Sequence, residues 1–201
     1  THSLHRRQRQ MCIRDRPSAA PTVLLYTALT RRTTAPHAPA SLAATFMVGY
    51  LAVWAGFSLA ATGLQWLLEL RGLVSPATMT VTSSLLGGSV LLAAAAYQLS
   101  PLKRVCLEHC RSPMRFLVER RRSGQAGAFM MGIEHGAFCL GCCWALMALL
   151  FVGGIMNLYW IAGLALFVAA EKLLPRGERL AQALAAILAL AGLWMLARGM
   201  W

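Results

Sequence analysis

The sequence predicts an all-α protein, a polytopic transmembrane helical bundle. Hydrophobic residues make up 58% of the 201 residues and charged residues only 13%, and from about residue 41 onward long apolar segments alternate with short polar connections. This composition is too apolar for an ordinary soluble domain. We therefore expect about five long helices, preceded by a truncated N-terminal helix at 17–29.

The five apolar segments are separated by connections that contain Gly, Pro or charged residues. They cover residues 42–70, 76–99, 126–152, 158–170 and 180–197. Pro76 suits the first turn of a helix because its missing N–H group would have no helical partner there. The segment at 158–170 is short for a hydrocarbon layer of about 30 Å unless it extends at both ends.

Residues 1–16 are expected not to be native. The string from Arg6 to Arg16 matches the translation of a transposon-type sequencing adapter. The alternative is a basic tail or the charged region of a signal peptide, but Pro17 and Pro21 interrupt the apolar stretch that a signal peptide needs. We therefore expect a single integral membrane domain at 17–201, and Cys12 is not counted as a ligand.

The basic residues are expected to report topology and not nucleic-acid binding. The formal net charge is +12, and the stretch 100–125 is basic without interleaved aromatic residues. Twelve basic residues lie in 31–39, 100–125 and 172–179, whereas the opposite connections and the C-terminus hold two. The positive-inside rule places the richer group in the cytoplasm, where it contacts anionic lipid. The lipid bilayer is thus the expected partner, with no nucleic acid.

The fourth long segment carries the motif that is most informative about function. On a helix, His135, Cys139, Cys142 and Cys143 fall within roughly a 100° arc. Three thiols and an imidazole form a soft ligand set that suits copper(I) or zinc. The alternative for each cysteine is a small apolar residue in the core.

Glycines in the same segment predict a close helix crossing. Gly132, Gly136 and Gly141 have the small-residue spacing that lets membrane helices approach each other. Such an approach would bring the cysteine stripe against a second ligand-bearing element. Glu134 points about 100° away from His135 and is expected to serve a neighbouring helix or the membrane boundary.

A second motif, Cys106-Leu-Glu-His109-Cys110, lies in the basic stretch. If this part is helical, Cys106 and Cys110 are one turn apart. One helix offers only two or three sulfurs to one ion, so we expect Cys106 or Cys110 to complete a site with the first motif. The alternative is two small residues on the buried face of an interfacial helix.

Two other functional classes remain open. Cys139 and Cys142 have the spacing of redox dithiols, which would fit a membrane thiol-redox protein. Against this, both lie well inside an apolar helix, where thiolate formation is disfavoured. A metal-free structural or assembly factor is the third class. No phosphate-binding loop, paired carboxylates or Ser/His/Asp arrangement is visible, so the sequence favours a non-enzyme.

Three strings resemble a bacterial family of unknown function, described as predicted metal-binding integral membrane proteins. They are Tyr97-Gln-Leu-Ser-Pro-Leu-Lys-Arg-Val-Cys-Leu-Glu-His-Cys-Arg-Ser-Pro113, His135-Gly-Ala-Phe-Cys-Leu-Gly-Cys-Cys-Trp-Ala-Leu-Met147 and Glu171-Lys-Leu-Leu-Pro175. The resemblance spans about 17–197 and implies a multi-pass protein of the bacterial inner membrane. It implies seven candidate metal ligands: Cys106, His109, Cys110, His135, Cys139, Cys142 and Cys143.

We therefore expect an integral membrane protein that binds a soft metal ion through its two Cys/His motifs, with copper(I) favoured over zinc. Metal storage, delivery or transport would be its role. A metallochaperone or a metalloprotein client would be its protein partner.

Overall fold

The computed structural model describes residues 24–28, 38–75, 80–154, 157–174 and 177–199, and these residues are predominantly helical. Residues 24–28 form a short helical piece. The longer elements are α1 (Ala38–Leu70), α2 (Ser84–Gln98), α3 (Pro101–Arg111), α4 (Pro113–Glu119), α5 (Gly124–Ala148), α6 (Leu150–Gly153), α7 (Leu158–Leu173) and α8 (Gly177–Gly199). The predicted all-α fold is confirmed. Residues 1–16 lie outside the described part of the chain.

Three helical stretches are long and apolar enough to cross a membrane: Ala40–Leu70, Gly124–Gly153 and Gly177–Gly199. A fourth candidate is the pair α2 and α3, which meets the same criterion together but is bent by 62°. The 16 residues of α7 rise only about 24 Å. Several helices are thus long and apolar enough to span a membrane, as predicted, but α2 and α7 are shorter than a typical membrane helix.

The helix predicted to start at Pro76 begins later, at Ser84. Residues 76–79 lie outside the described residues, but on either side of them the backbone is non-helical and Val74 pairs with Val81 as an isolated bridge. The amide of Ser75 donates to the Thr80 carbonyl at 2.8 Å, and the amide of Thr82 donates to the Leu73 carbonyl at 3.0 Å. The Val81 amide donates to the Phe151 carbonyl at 2.9 Å, so the described residues beside 76–79 satisfy these amides without helical hydrogen bonds.

The polar stretch 100–125 is largely helical. Pro113 occupies the first turn of α4, a position where its missing N–H costs nothing. In α3 the Ser100 hydroxyl accepts a hydrogen bond from the Lys103 amide at 3.2 Å and so caps the helix start. The residues of α3 that are buried are Lys103, Cys106 and Leu107, which gives the helix an inward face.

The chain divides into two compact units. The first comprises Thr1–Val53 and Glu108–Ala137, and the second comprises Trp54–Leu107 and Phe138–Trp201.

The first unit is built on a close crossing of α1 and α5. A Cβ atom added to Gly49 would strike the Phe129 carbonyl oxygen, and one added to Gly132 would strike the Phe46 carbonyl oxygen. At Gly136 an added Cβ would lie 3.1 Å from Val53 Cβ. The predicted role of Gly132 and Gly136 in close helix approach is therefore confirmed.

The second unit contains the most extensive helix pair, α2 against α8. Here too glycines face each other. A Cβ atom added to Gly88 would lie 3.0 Å from the Gly192 carbonyl oxygen, and a Cβ atom added to Gly192 would lie 3.0 Å from the Gly88 carbonyl oxygen. Leu91 and Ala95 of α2 and Leu188 of α8 are buried.

Candidate metal centre

The seven candidate ligands fall into both units. His109, Cys110 and His135 belong to the first unit. The second unit contains Cys106 on α3 together with three cysteines of α5: Cys139, Cys142 and Cys143.

His135 is buried among aromatic rings, with 2% of its surface exposed. The centroid of its ring lies 5.3 Å from that of Phe116 and 6.0 Å from those of Phe46 and Tyr50. Tyr26 in turn stacks on Phe46 at 5.2 Å. These rings from three helical segments fix the orientation of the imidazole in the first unit.

Glu134, the neighbour of His135 in sequence, pairs with cations outside α5. Its carboxylate lies 2.6 Å from Arg122 Nη2 and 3.7 Å from Arg120 Nη1. Glu134 was expected to serve a neighbouring helix or the membrane boundary, and its partners are two arginines of the connection between α4 and α5. Its ion pairs hold the connection before α5 against the body of that helix.

His109 borders an open cleft of about 620 Å³ in the first unit. The lining residues are Glu108, His109, Arg111, Ser112, Arg115 and Phe116. Cys110, the next residue on α3, is partly exposed. These two ligand candidates are therefore accessible from outside the protein, unlike His135.

The three cysteines of α5 are all buried, with 2–3% of their surface exposed. The Cys142 thiol donates to the Cys139 carbonyl at 3.0 Å, and the Cys143 thiol donates to the same oxygen at 3.1 Å. This shared acceptor gathers the two sulfur atoms on one side of the helix. A thiol that donates in this way must lose its proton before it can bind a metal ion.

Cys106 of α3 lies against the cysteine-bearing part of α5. A Cβ atom added to Gly141 would lie 2.7 Å from Cys106 Sγ, so the glycine makes room for this sulfur. Cys106 of the second motif thus lies against the helix of the first motif at Gly141, whereas His109 and Cys110 of the second motif belong to the first unit.

Tyr97 at the end of α2 fixes the same stretch of α5. Its hydroxyl donates to the Gly141 carbonyl. Its ring meets Trp144 edge-on, with centroids 4.9 Å apart and an angle of 68° between the planes. The backbone beside Cys142 is therefore held by a hydrogen bond and an aromatic contact.

A cation lies directly beside the α5 cysteines. Lys172 near the end of α7 places its Nζ atom 3.3 Å from Cys139 Sγ. An ammonium group favours the thiolate form of a neighbouring sulfur, and the thiolate is the form that binds metal ions. Sequence analysis did not single out Lys172, although it follows Glu171 in one of the quoted strings.

Sequence analysis also missed a buried ion pair in the second unit. The Lys103 ammonium lies 2.7 and 2.9 Å from the two oxygens of Glu171, and both side chains are about 2% exposed. Gln98 completes the group: it accepts from Lys103 and donates to Glu171 at 3.4 Å. The available signal was the presence of charged residues at the edges of apolar segments, where they are costly unless paired.

Within the described residues, no group of three or more His, Cys, Asp or Glu side chains is arranged to hold one metal ion. Zinc in structural sites takes four protein ligands in a tetrahedron. The second unit instead offers sulfur atoms at close quarters, Cys106 with Cys142 and the α5 cysteines with one another. Soft thiolates are ligands for copper(I), zinc and iron–sulfur clusters.

Comparison with known proteins identifies a family. A family described as a copper chaperone, PpoB2, matches residues 11–195, which is nearly the whole chain. No curated protein and no solved structure matches the chain. The family description agrees with the soft sulfur donors of the second unit and with the metal-related character expected from the sequence. The chain therefore belongs to the PpoB2 family of copper chaperones.

Proposed function

We propose that this protein is a membrane-embedded copper(I) chaperone whose binding centre is the sulfur cluster of the second unit. The observation that carries this proposal is the position of Cys106 Sγ against Gly141, which brings a fourth sulfur to the helix of Cys139, Cys142 and Cys143. The cluster offers four thiols, whereas a copper(I) ion needs only two ligands. Copper can therefore move from thiol to thiol by exchanging one ligand at a time. Such exchange is the chemistry of a carrier that must release its cargo.

The membrane setting favours this function. Because the thiols are buried, an ion bound to them is kept away from water. Three stretches, in α1, in α5 together with α6, and in α8, are long and apolar enough for insertion in a bacterial inner membrane. The basic residues of α3 and α4 would then lie on the cytoplasmic side. Cytoplasmic thiols are kept reduced, which preserves them as ligands.

His109 and Cys110 are proposed as an outer binding point. Both are partly exposed on α3, and His109 borders the cleft of the first unit. A partner that carries copper, such as a soluble metallochaperone or a metalloprotein client, would reach these donors more readily than the buried cysteines. His135 is proposed as a further ligand candidate whose ring is held by Phe46, Tyr50 and Phe116.

Copper stoichiometry of the purified full chain tests the proposal. The wild-type protein, loaded with copper(I) under reducing conditions and desalted, is expected to retain at least one copper ion per chain. The variant Cys106→Ala/Cys139→Ala/Cys142→Ala/Cys143→Ala should lose that ion while still inserting into the membrane, because alanine replaces cysteine with a small loss of apolar volume.

The matched control is Ser89→Ala, which removes an exposed hydroxyl of α2 in the same unit. It should keep the ion that is bound in the second unit. Unchanged copper stoichiometry in the quadruple variant would refute the proposed centre. If thiol alkylation instead finds a Cys139–Cys142 disulfide that forms and breaks with redox conditions, the redox alternative replaces it.

A further inference from the structure

We propose that Lys172 is the counter-cation of the copper–thiolate centre and that its positive charge makes the centre selective for monovalent copper over zinc. This inference rests on the proposed function. It assigns a specificity role to a residue that is not itself a ligand.

The geometry places this cation at the sulfur cluster. Lys172 Nζ lies 3.3 Å from Cys139 Sγ, and Cys139 supplies the carbonyl to which the Cys142 and Cys143 thiols donate. The ammonium group is therefore adjacent to the group of sulfurs on α5, and its charge acts on whatever these sulfurs bind.

The neighbouring residue Glu171 does not cancel this charge, because it already has a counter-cation. Both Glu171 oxygens contact Lys103 Nζ, at 2.7 and 2.9 Å. Glu171 and Lys172 follow each other on α7 and so point about 100° apart. One faces the Lys103 of α3 and the other faces the Cys139 of α5.

The charge balance then depends on the metal ion. Copper(I) with two thiolates carries one net negative charge, and the Lys172 ammonium brings the total to zero. Zinc(II) with the same two thiolates is neutral, and the ammonium leaves one net positive charge. Net charge is costly in an apolar interior, where Coulomb interactions are weakly screened. The fixed ammonium thus favours copper(I) and disfavours zinc.

Lys172→Met tests the inference in the purified full chain, because methionine keeps an unbranched side chain and removes the charge. Copper(I) affinity is measured by competition with bicinchoninate, and zinc affinity is measured with a zinc-sensitive dye. We expect copper(I) affinity to fall about tenfold or more. Zinc affinity should stay equal or rise, so the ratio of the two affinities falls.

Two variants serve as controls. Lys172→Arg keeps the positive charge and should largely restore the copper-to-zinc ratio. Arg179→Met removes an exposed positive charge from the same unit and should leave both affinities unchanged. If Lys172→Met does not insert stably, Lys172→Gln is measured in the same way.

The possible results separate the two proposals. If the wild-type chain binds no copper(I), the proposed function fails. If the wild-type chain binds copper(I) and Lys172→Met binds both ions as tightly as wild type, only the role of Lys172 is refuted. An equal fall in both affinities would also refute it, because loss of structure and not charge selection would then explain the change.

Discussion

Single residues position the sulfur donors through contacts that are absent from the local sequence pattern. Periodicity predicted that Cys139, Cys142 and Cys143 share a helix face, because that follows from 3.6 residues per turn. It did not reveal Lys172 or the pair Lys103 and Glu171, since these contacts join residues far apart in the chain. The spacing of charges along a sequence carries no information about such partners.

Gly141 is predicted to be needed for the position of Cys106. In Gly141→Ala the new Cβ would lie 2.7 Å from Cys106 Sγ, so the sulfur must move. We expect copper(I) affinity to fall about tenfold, as for other residues that orient metal ligands. Competition with a copper(I) chelator measures the change. Gly163→Ala is the control, because an added Cβ there has nothing within 4 Å; an equal loss in this variant would contradict the proposed role.

The buried ion pair is predicted to be stabilising only as a pair. Lys103→Met leaves the Glu171 carboxylate without its cation, and Glu171→Gln leaves the Lys103 ammonium without its anion. Each single change should reduce the free energy of unfolding by about 3–5 kcal/mol, whereas Lys103→Met/Glu171→Met should cost much less. Thermal unfolding in detergent measures these differences. Additive losses in the double variant would show that the two residues act independently.

At the scale of elements, the sequence predicted which segments are helical more accurately than the residues at which the helices begin and end. Long apolar runs became α1, α5 and α8, because a hydrophobic run of that length has few other ways to satisfy its backbone in a membrane. The start of α2 moved from Pro76 to Ser84, since the flanking residues bond to one another, Ser75 to Thr80 and Thr82 to Leu73, and the Val81 amide donates to the Phe151 carbonyl. The polar stretch 100–125 became α3 and α4 because burial of Cys106 and Leu107 rewards an amphipathic helix.

The crossing of α1 and α5 is predicted to depend on Gly132. A side chain at this position meets the Phe46 carbonyl oxygen, and a backbone atom cannot swing aside as a flexible side chain can. Gly132→Ala should therefore reduce the free energy of unfolding by about 1–3 kcal/mol. Gly56→Ala on α1 meets nothing within 4 Å and should be neutral or slightly stabilising. Thermal unfolding of both variants in the same detergent tests the contrast, and equal stability would contradict it.

At the scale of the whole molecule, charge and span length lead to different expectations for α7. The basic groups predict alternating sides for successive connections, which requires α7 to cross the membrane. Its 16 residues rise only about 24 Å, less than the hydrocarbon thickness of about 30 Å. A short span is tolerated when the bilayer thins locally around it. The charge of the connections thus favours a crossing of α7, and the length of the helix opposes it.

We predict that α7 does cross, because Lys172 in its last turn and Arg179 beyond its end would otherwise be moved to the external side. Reporters that depend on compartment test this: green fluorescent protein folds in the cytoplasm, and alkaline phosphatase is active outside it. Fusions after Arg122 and after Leu174 should both report the cytoplasm, because two crossings, α5 and α7, separate them. A fusion after Gly199 should report the opposite side, because α8 crosses once more.

If the fusion after Leu174 instead reports the external side and the fusion after Gly199 reports the cytoplasm, α7 does not cross.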